Sequence, residues 1–328
     1  MLDQKRVDRE ISRLRAALPS SETRKAMDYA VEDLNDYLAG QIPLFGASGL
    51  LDSIAGQVLP ASFALAETQT ERQDVLAFMC SLQRASFDMH LQAKRLAQRT
   101  FFNPSFGTMA GTQAPLLQSA GWIDDADRLL QWLWTDYFSE DPPKSALRFG
   151  NPSPGAWVND HANPYLVNKA AWFTTMTTVD PALWRGAGYA PDADNLGPYW
   201  MLAQVWDDPD PARARNALQA VRDLNLGTTF IKDSPEGKRV YLVDEFLLLD
   251  DYDVRSVNMR RIARGLDPVT VDSYMPNPLP NAVLPFAQDD VFWPAYLKLC
   301  AEIGAAPITM ENPVAVRLDP ATLRVHRV

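Results

Sequence analysis

Three short stretches of the chain concentrate carboxylates: Asp124-Asp125-Ala126-Asp127, Asp207-Asp208-Pro209-Asp210 and Asp250-Asp251-Tyr252-Asp253. Each places three hard oxygen donors within four residues, the ligand type that magnesium takes. The competing chemistry is that of helix starts. Each cluster directly precedes a helical pattern, where a carboxylate accepts from free backbone N–H groups and complements the positive end of the helix dipole. This second role is the expectation for Asp124, Asp207, Asp208 and Asp250. With Asp289-Asp290 there are four such doublets, but the apolar positions after them do not align, so no internal repeat is assigned.

Histidine offers little. His90, His161 and His326 include no pair at metal-ligand spacing. His161 follows Asp160 in Trp157-Val158-Asn159-Asp160-His161, where an acid beside an imidazole in a loop has the makings of a general base. Asp160 and Asn163 equally suit the cap of the next helix. Neither Gly46-Ala47-Ser48-Gly49 nor the loop around Ser153 has the strand-to-helix context of a nucleophile elbow. No phosphate-binding or dinucleotide fingerprint occurs. No catalytic residue, metal ligand or cofactor is expected.

An acidic, aromatic-rich helical chain of this length resembles the class I terpene synthases, which hold magnesium with an Asp-rich helix motif. Their second metal motif has an Asn-Asp pair followed by Ser and Glu. After Asn159-Asp160 this chain carries Asn163 and Val167 in those places. A metal-dependent enzyme built on the Asp clusters therefore stays the alternative and not the leading reading.

The elements that must position these residues are mostly helices. Val7, Ile11, Leu14 and Leu18 share one face up to Pro19; Met27, Ala30, Leu34 and Leu38 form the next stripe, which ends at Gly40. Residues 47–66 read as two short buried helices around Pro60. Thr68-Gln69-Thr70-Glu71 has capping-box spacing and opens the longest helix, about 70–99. Further helices are expected over about 113–119, 124–138, 211–224, 252–264 and 290–303, with others opened by Asn163-Pro164 and Asp180-Pro181. A β-hairpin is expected near 228–243 and a C-terminal strand pair over 314–318 and 323–328. The fold class is thus mainly α, a bundle or array. Its two parts, 1–105 and 106–328, divide near 100–112 within one compact unit.

The chain has 328 residues, 31 Lys+Arg and 41 Asp+Glu, for a net charge of -10. That balance argues against a nucleic-acid partner, which requires a positive footprint. No apolar run approaches the ~20 residues of a membrane span, and the N-terminus lacks a signal core, so a cytoplasmic location is expected. The excess is localised: residues 100–253 hold 11 Lys+Arg against 21 Asp+Glu, and eight of the nine tryptophans. Tryptophan in a polar setting is a typical interface residue.

Acidic, Trp-rich helical chains of this kind resemble the immunity proteins that neutralise bacterial polymorphic toxins. Gly197-Pro198-Tyr199-Trp200 and Val291-Phe292-Trp293-Pro294-Ala295-Tyr296 are similar to aromatic pairs on their late helices. The resemblance implies a protein that covers a toxin's active site, and hence a basic protein partner. A phage or secretion-system accessory protein is a further alternative, and the oligomeric state is left open. The binding face is expected at Trp157, Asp160 and His161, at Asp207, Asp208 and Asp210, and at Asp250, Asp251 and Asp253. Cys80 and Cys300 fall on apolar helix faces. Both are expected to be reduced and to label slowly in a thiol titration of the native protein; fast labelling of both would contradict their burial.

Overall fold

The computed structural model describes residues 4–42, 51, 54–97, 113–132, 176, 198–229, 249–273, 278–308 and 311–328. In chain order the elements are α1 (Gln4–Ala17), α2 (Ser21–Leu38), a π-helical turn (Ile54–Val58) running into α3 (Leu59–Leu65), and α4 (Gln69–Ala97). There follow α5 (113–119), α6 (Ile123–Trp132), α7 (Pro198–Val205), α8 (Pro211–Thr229) and α9 (Tyr252–Ala263). The last elements are β1 (Ala287–Gln288), α10 (Trp293–Ile303), β2 (Val314–Asp319) and β3 (Arg324–Arg327). The chain is mainly helical, with a small three-stranded sheet near its C-terminus. Among the described residues no helix is long and apolar enough to cross a membrane.

Two compact units divide the chain, one of Lys5–Arg99 with Val283–Val328 and one containing Thr100–Ala282. Residues 283–328, assigned from sequence to the acidic second part, instead pack with the N-terminal helices.

In the first unit, Val7, Ile11 and Leu14 of α1 are buried, as are Met27, Ala30, Leu34 and Tyr37 of α2. Pro19 ends α1, and Ser20 caps α2 by accepting from the Thr23 amide at 3.1 Å. Pro60 stands at the start of α3, where its missing N–H would have had no helical partner. At α4 the capping box forms as the spacing predicts. Thr68 Oγ1 accepts from the Glu71 amide at 3.1 Å, and Glu71 Oε2 accepts from the Thr68 and Glu67 amides at 3.0 and 2.7 Å.

The sheet pairs β1 with β2 in parallel, Ala287 opposite Val314, and β2 with β3 antiparallel, Val316 opposite Arg327. It is tied to α4 by polar bonds. Ser81 Oγ accepts from the Ala287 amide at 2.9 Å, and Arg327 donates to both Asp74 oxygens at 2.8–3.0 Å. Asp289 accepts from the amides of Val291, Phe292 and Trp293, which organises the entry to α10. Gly304 closes that helix at φ 67°, a left-handed position that L side chains rarely adopt. Cys80 and Cys300 are free thiols and both are buried.

The second unit departs from expectation at α8. Asn225 and Gly227 do not stop it; the helix continues through Thr228 and Thr229, the first two residues of the expected hairpin. The rest of that hairpin, the segment 133–138 and the helices expected after Asn163 and Asp180 lie outside the described residues.

The capping box at α4 has a measurable consequence. Amide bonds from Thr68 and Glu67 hold the Glu71 carboxyl below its ordinary value of 4.5. A carboxyl lowered in the folded state contributes stability above its unfolded value and loses it as pH falls below 4.5. Thr68→Ala should cost about 1 kcal/mol in chemical denaturation. Glu71→Ala should flatten the acid limb of the stability–pH curve; an unchanged limb would show that the box does not contribute in solution.

Candidate functional site

The acidic residues singled out in the sequence converge on α9 and the turn before α8. Helix α9 has polar residues on every face, so no apolar stripe holds it in place. Yet Tyr252 through Arg261 are all buried. Burying so many ionised groups is unfavourable unless each finds a partner.

The partners come from every described helix of the unit. Arg255 reaches back to Asp250 through both amino groups; Nη2 donates to Asp250 Oδ2 at 2.7 Å and also to Ser119 Oγ of α5 at 3.2 Å. Arg222 of α8 pairs with Asp251, whose second oxygen accepts from Ser273 Oγ at 2.7 Å. Tyr199 of α7 donates to Asp253 at 3.1 Å. Arg260 binds both oxygens of Asp127 on α6. Arg261, fully buried, donates to the carbonyls of Trp206, Asp208 and Asp267 at 2.6, 3.1 and 2.8 Å. Asn258 exchanges two bonds with the Val269 backbone, at 2.9 and 3.0 Å. Burial pushes the Asp251 carboxyl up, and the adjacent Arg222 guanidinium pulls it back.

This geometry corrects one expectation. Asp250, Asp251 and Asp253 do not present a docking face, because all three are buried and engaged. Nor does Asp251, at the cap position of α9, cap that helix with its side chain. Among the described residues no group of three or more His, Cys, Asp or Glu side chains could hold a metal ion.

The turn before α8 behaves otherwise. Asp207 pairs with Arg264 at 2.8 Å in an exposed setting, and Arg264 stacks 4.7 Å from the Trp206 ring centroid. Asp208 accepts from the Asp210 amide at 2.9 Å and from Arg213 at 2.6 Å. Asp210 accepts from the Ala212 amide at 3.0 Å, the capping role its position before Pro211 predicts. Such exposed pairs contribute at most about 1 kcal/mol each. Asp124 and Asp125 occupy the first turn of α6, also as predicted. On α7, seven and six residues before Asp207, Trp200 is 38% exposed and Met201 60%. Trp157, Asp160 and His161 lie outside the described residues.

Sequence reasoning missed the cations: Arg222, Arg255, Arg260 and Arg261. A signal was present in the lack of any apolar stripe on α9 and in Arg255 standing five residues after Asp250. Comparison with known protein families, with curated proteins and with solved structures gives no match.

The buried pairs make a sharp prediction. Asp250→Ala leaves Arg255 without its carboxylate and should cost about 3–5 kcal/mol. Asp250→Leu with Arg255→Met should regain most of that loss in the same denaturation experiment. A cost below about 1 kcal/mol for the single variant would show that the pair is solvated like a surface bridge.

Proposed function

We propose that this chain is a cytoplasmic protein-binding protein, an immunity-type inhibitor that covers a basic toxin or effector. The observation that carries this reading is the exposed pair Trp200 and Met201 on α7, leading directly into the carboxylates Asp207, Asp208 and Asp210. A large aromatic held at the surface by a rigid helix is the residue type that dominates binding energy. Carboxylates, which follow this pair in the chain at 207, 208 and 210, are the charge type that favours a basic partner and speeds encounter with it.

The test is protection. Cells producing this chain should survive induction of the toxin specified by the adjacent reading frame. Trp200→Ala with Met201→Ala should weaken binding of that toxin by tenfold or more, mainly through faster dissociation. An adjacent product that is not toxic, or toxicity that the chain does not relieve, would overturn the reading.

A further inference from the structure

We infer that α8 and α9 form a peptide-recognition groove, which the chain covers with its own segment 266–273. In place of that segment the groove takes an extended partner segment with β-branched apolar residues two positions apart. The inference concerns the second unit alone and does not depend on the charge of the partner proposed above.

The segment Leu-Asp-Pro-Val-Thr-Val-Asp-Ser begins after Gly265, which ends α9 at φ 73°. It forms no helix, strand or turn, and Pro268 bars it from continuing the helix. It runs back along α9. Arg261 Nε donates to the Asp267 carbonyl at 2.8 Å, and the Asn258 amide exchanges two bonds with Val269, at 2.9 and 3.0 Å. Gln219 Oε1 of α8 accepts from the Asp272 N–H at 2.8 Å, and Ser273 Oγ donates to Asp251 at 2.7 Å. From Arg261 back to Asp251 is roughly 15 Å at 1.5 Å per helical residue. Only an extended chain covers that length between Asp267 and Ser273. Val269 and Val271 are buried, whereas Asp267, Pro268, Thr270, Asp272 and Ser273 are exposed.

These contacts follow the logic of strand recognition. Arg261, Asn258 and Gln219 bond the backbone of the segment and not its side chains. An extended residue offers its N–H and C=O to the same side, so Asn258 engages Val269 as a neighbouring strand would. Backbone bonds of this kind accept many sequences, and the alternate buried side chains supply the selectivity. The segment is also separable. Among the described residues, 267–272 make no backbone–backbone hydrogen bond, so their departure breaks no helix and no sheet. Two buried valines in eight residues give up little apolar surface on release. The groove groups stay behind, because Asn258 and Arg261 belong to the helix that the buried ion pairs fix. Asn258 is 2% exposed, and a buried amide without partners is costly. An occupant must return both a donor and an acceptor at that point, which an extended backbone does.

The test begins with the unmodified chain. In native-state hydrogen exchange the Val269 and Asp272 amides should exchange at least tenfold faster than the amides within α9, because the segment lifts while the helix stays folded. Exchange of both at the rate of α9 would show that the segment leaves only when the unit unfolds, and would overturn the inference. A fluorescent peptide copying residues 266–273 is the second probe. The full chain with Val269→Ser and Val271→Ser should bind it at least tenfold more tightly than the parent, because the competitor held in the same chain is weakened. Asp272→Pro, which removes only the N–H donated to Gln219, should shift affinity in the same direction, so a double variant that misfolds does not end the test. Asn258→Leu added to either variant should abolish binding while helical circular dichroism is kept. Affinity unchanged in the loosened variants, or equal binding of a peptide with serine at both valine positions, would equally rule the groove out. None of these outcomes bears on Trp200 and Met201, whose role the protection assay reads.

Discussion

The second unit depends on the pairing of buried guanidinium groups with buried carboxylates around α9. A helix with polar groups on every face and Tyr252 through Arg261 removed from water cannot be held by apolar burial alone. Each partner comes from a different element: Asp127 from α6, Tyr199 from α7, Arg222 from α8, Ser119 from α5 and Ser273 from the segment after α9. Such pairs bring little net stability over apolar side chains of the same shape, but breaking one is severe. Their effect is on uniqueness. A one-residue slip of α9 would strand several ionised groups at once, so the helix has one admissible register. The fully buried Arg261 extends the constraint to backbone carbonyls of the turn before α8, and thereby fixes where the acidic turn emerges.

Local signals were legible and distant ones were not. The Thr68–Glu71 box, Asp210 before Pro211 and Gly304 act within one turn of the backbone they cap, so residue type and spacing suffice to place them. Helix α8 was underestimated because Asn225 and Gly227 are only weak stops, with a propensity penalty of about 1 kcal/mol or less each. The two-residue strand β1 was missed because its pairing with β2 is parallel and non-local, and no turn signal connects them. The return of residues 283–328 to the N-terminal helices rests on contacts such as Tyr296 with Asp88, 208 residues apart, which no window along the chain can register.

The candidate site was legible in composition and not in placement. The three Asp clusters look alike in sequence, yet one supplies buried ion pairs, one a capped surface turn, and one the start of α6 with Asp127 committed to Arg260. What separates them is the position of arginines elsewhere in the chain. Counting charges per segment likewise merges two populations, carboxylates neutralised inside the fold and carboxylates facing water. That is why the acidic excess of residues 100–253 overstated the binding face there, and why the near-neutral sum of the first 99 residues concealed the carboxylates of α2.

The same side-chain chemistry therefore does opposite work in the two units, and ionic strength distinguishes the two kinds. Charges exposed to water interact over a screening length of about 8 Å at physiological salt, whereas buried pairs are screened much less. Asp250 and Asp251 meet their arginines directly in the interior, so added salt leaves that lock largely intact. The carboxylates of α2 and the exposed pairs Asp207–Arg264 and Asp208–Arg213 face water, where salt weakens their interactions. Added salt thus acts on the charges that face water and leaves the buried pairs largely intact, because the exposed carboxylates are not the charges that hold the core together.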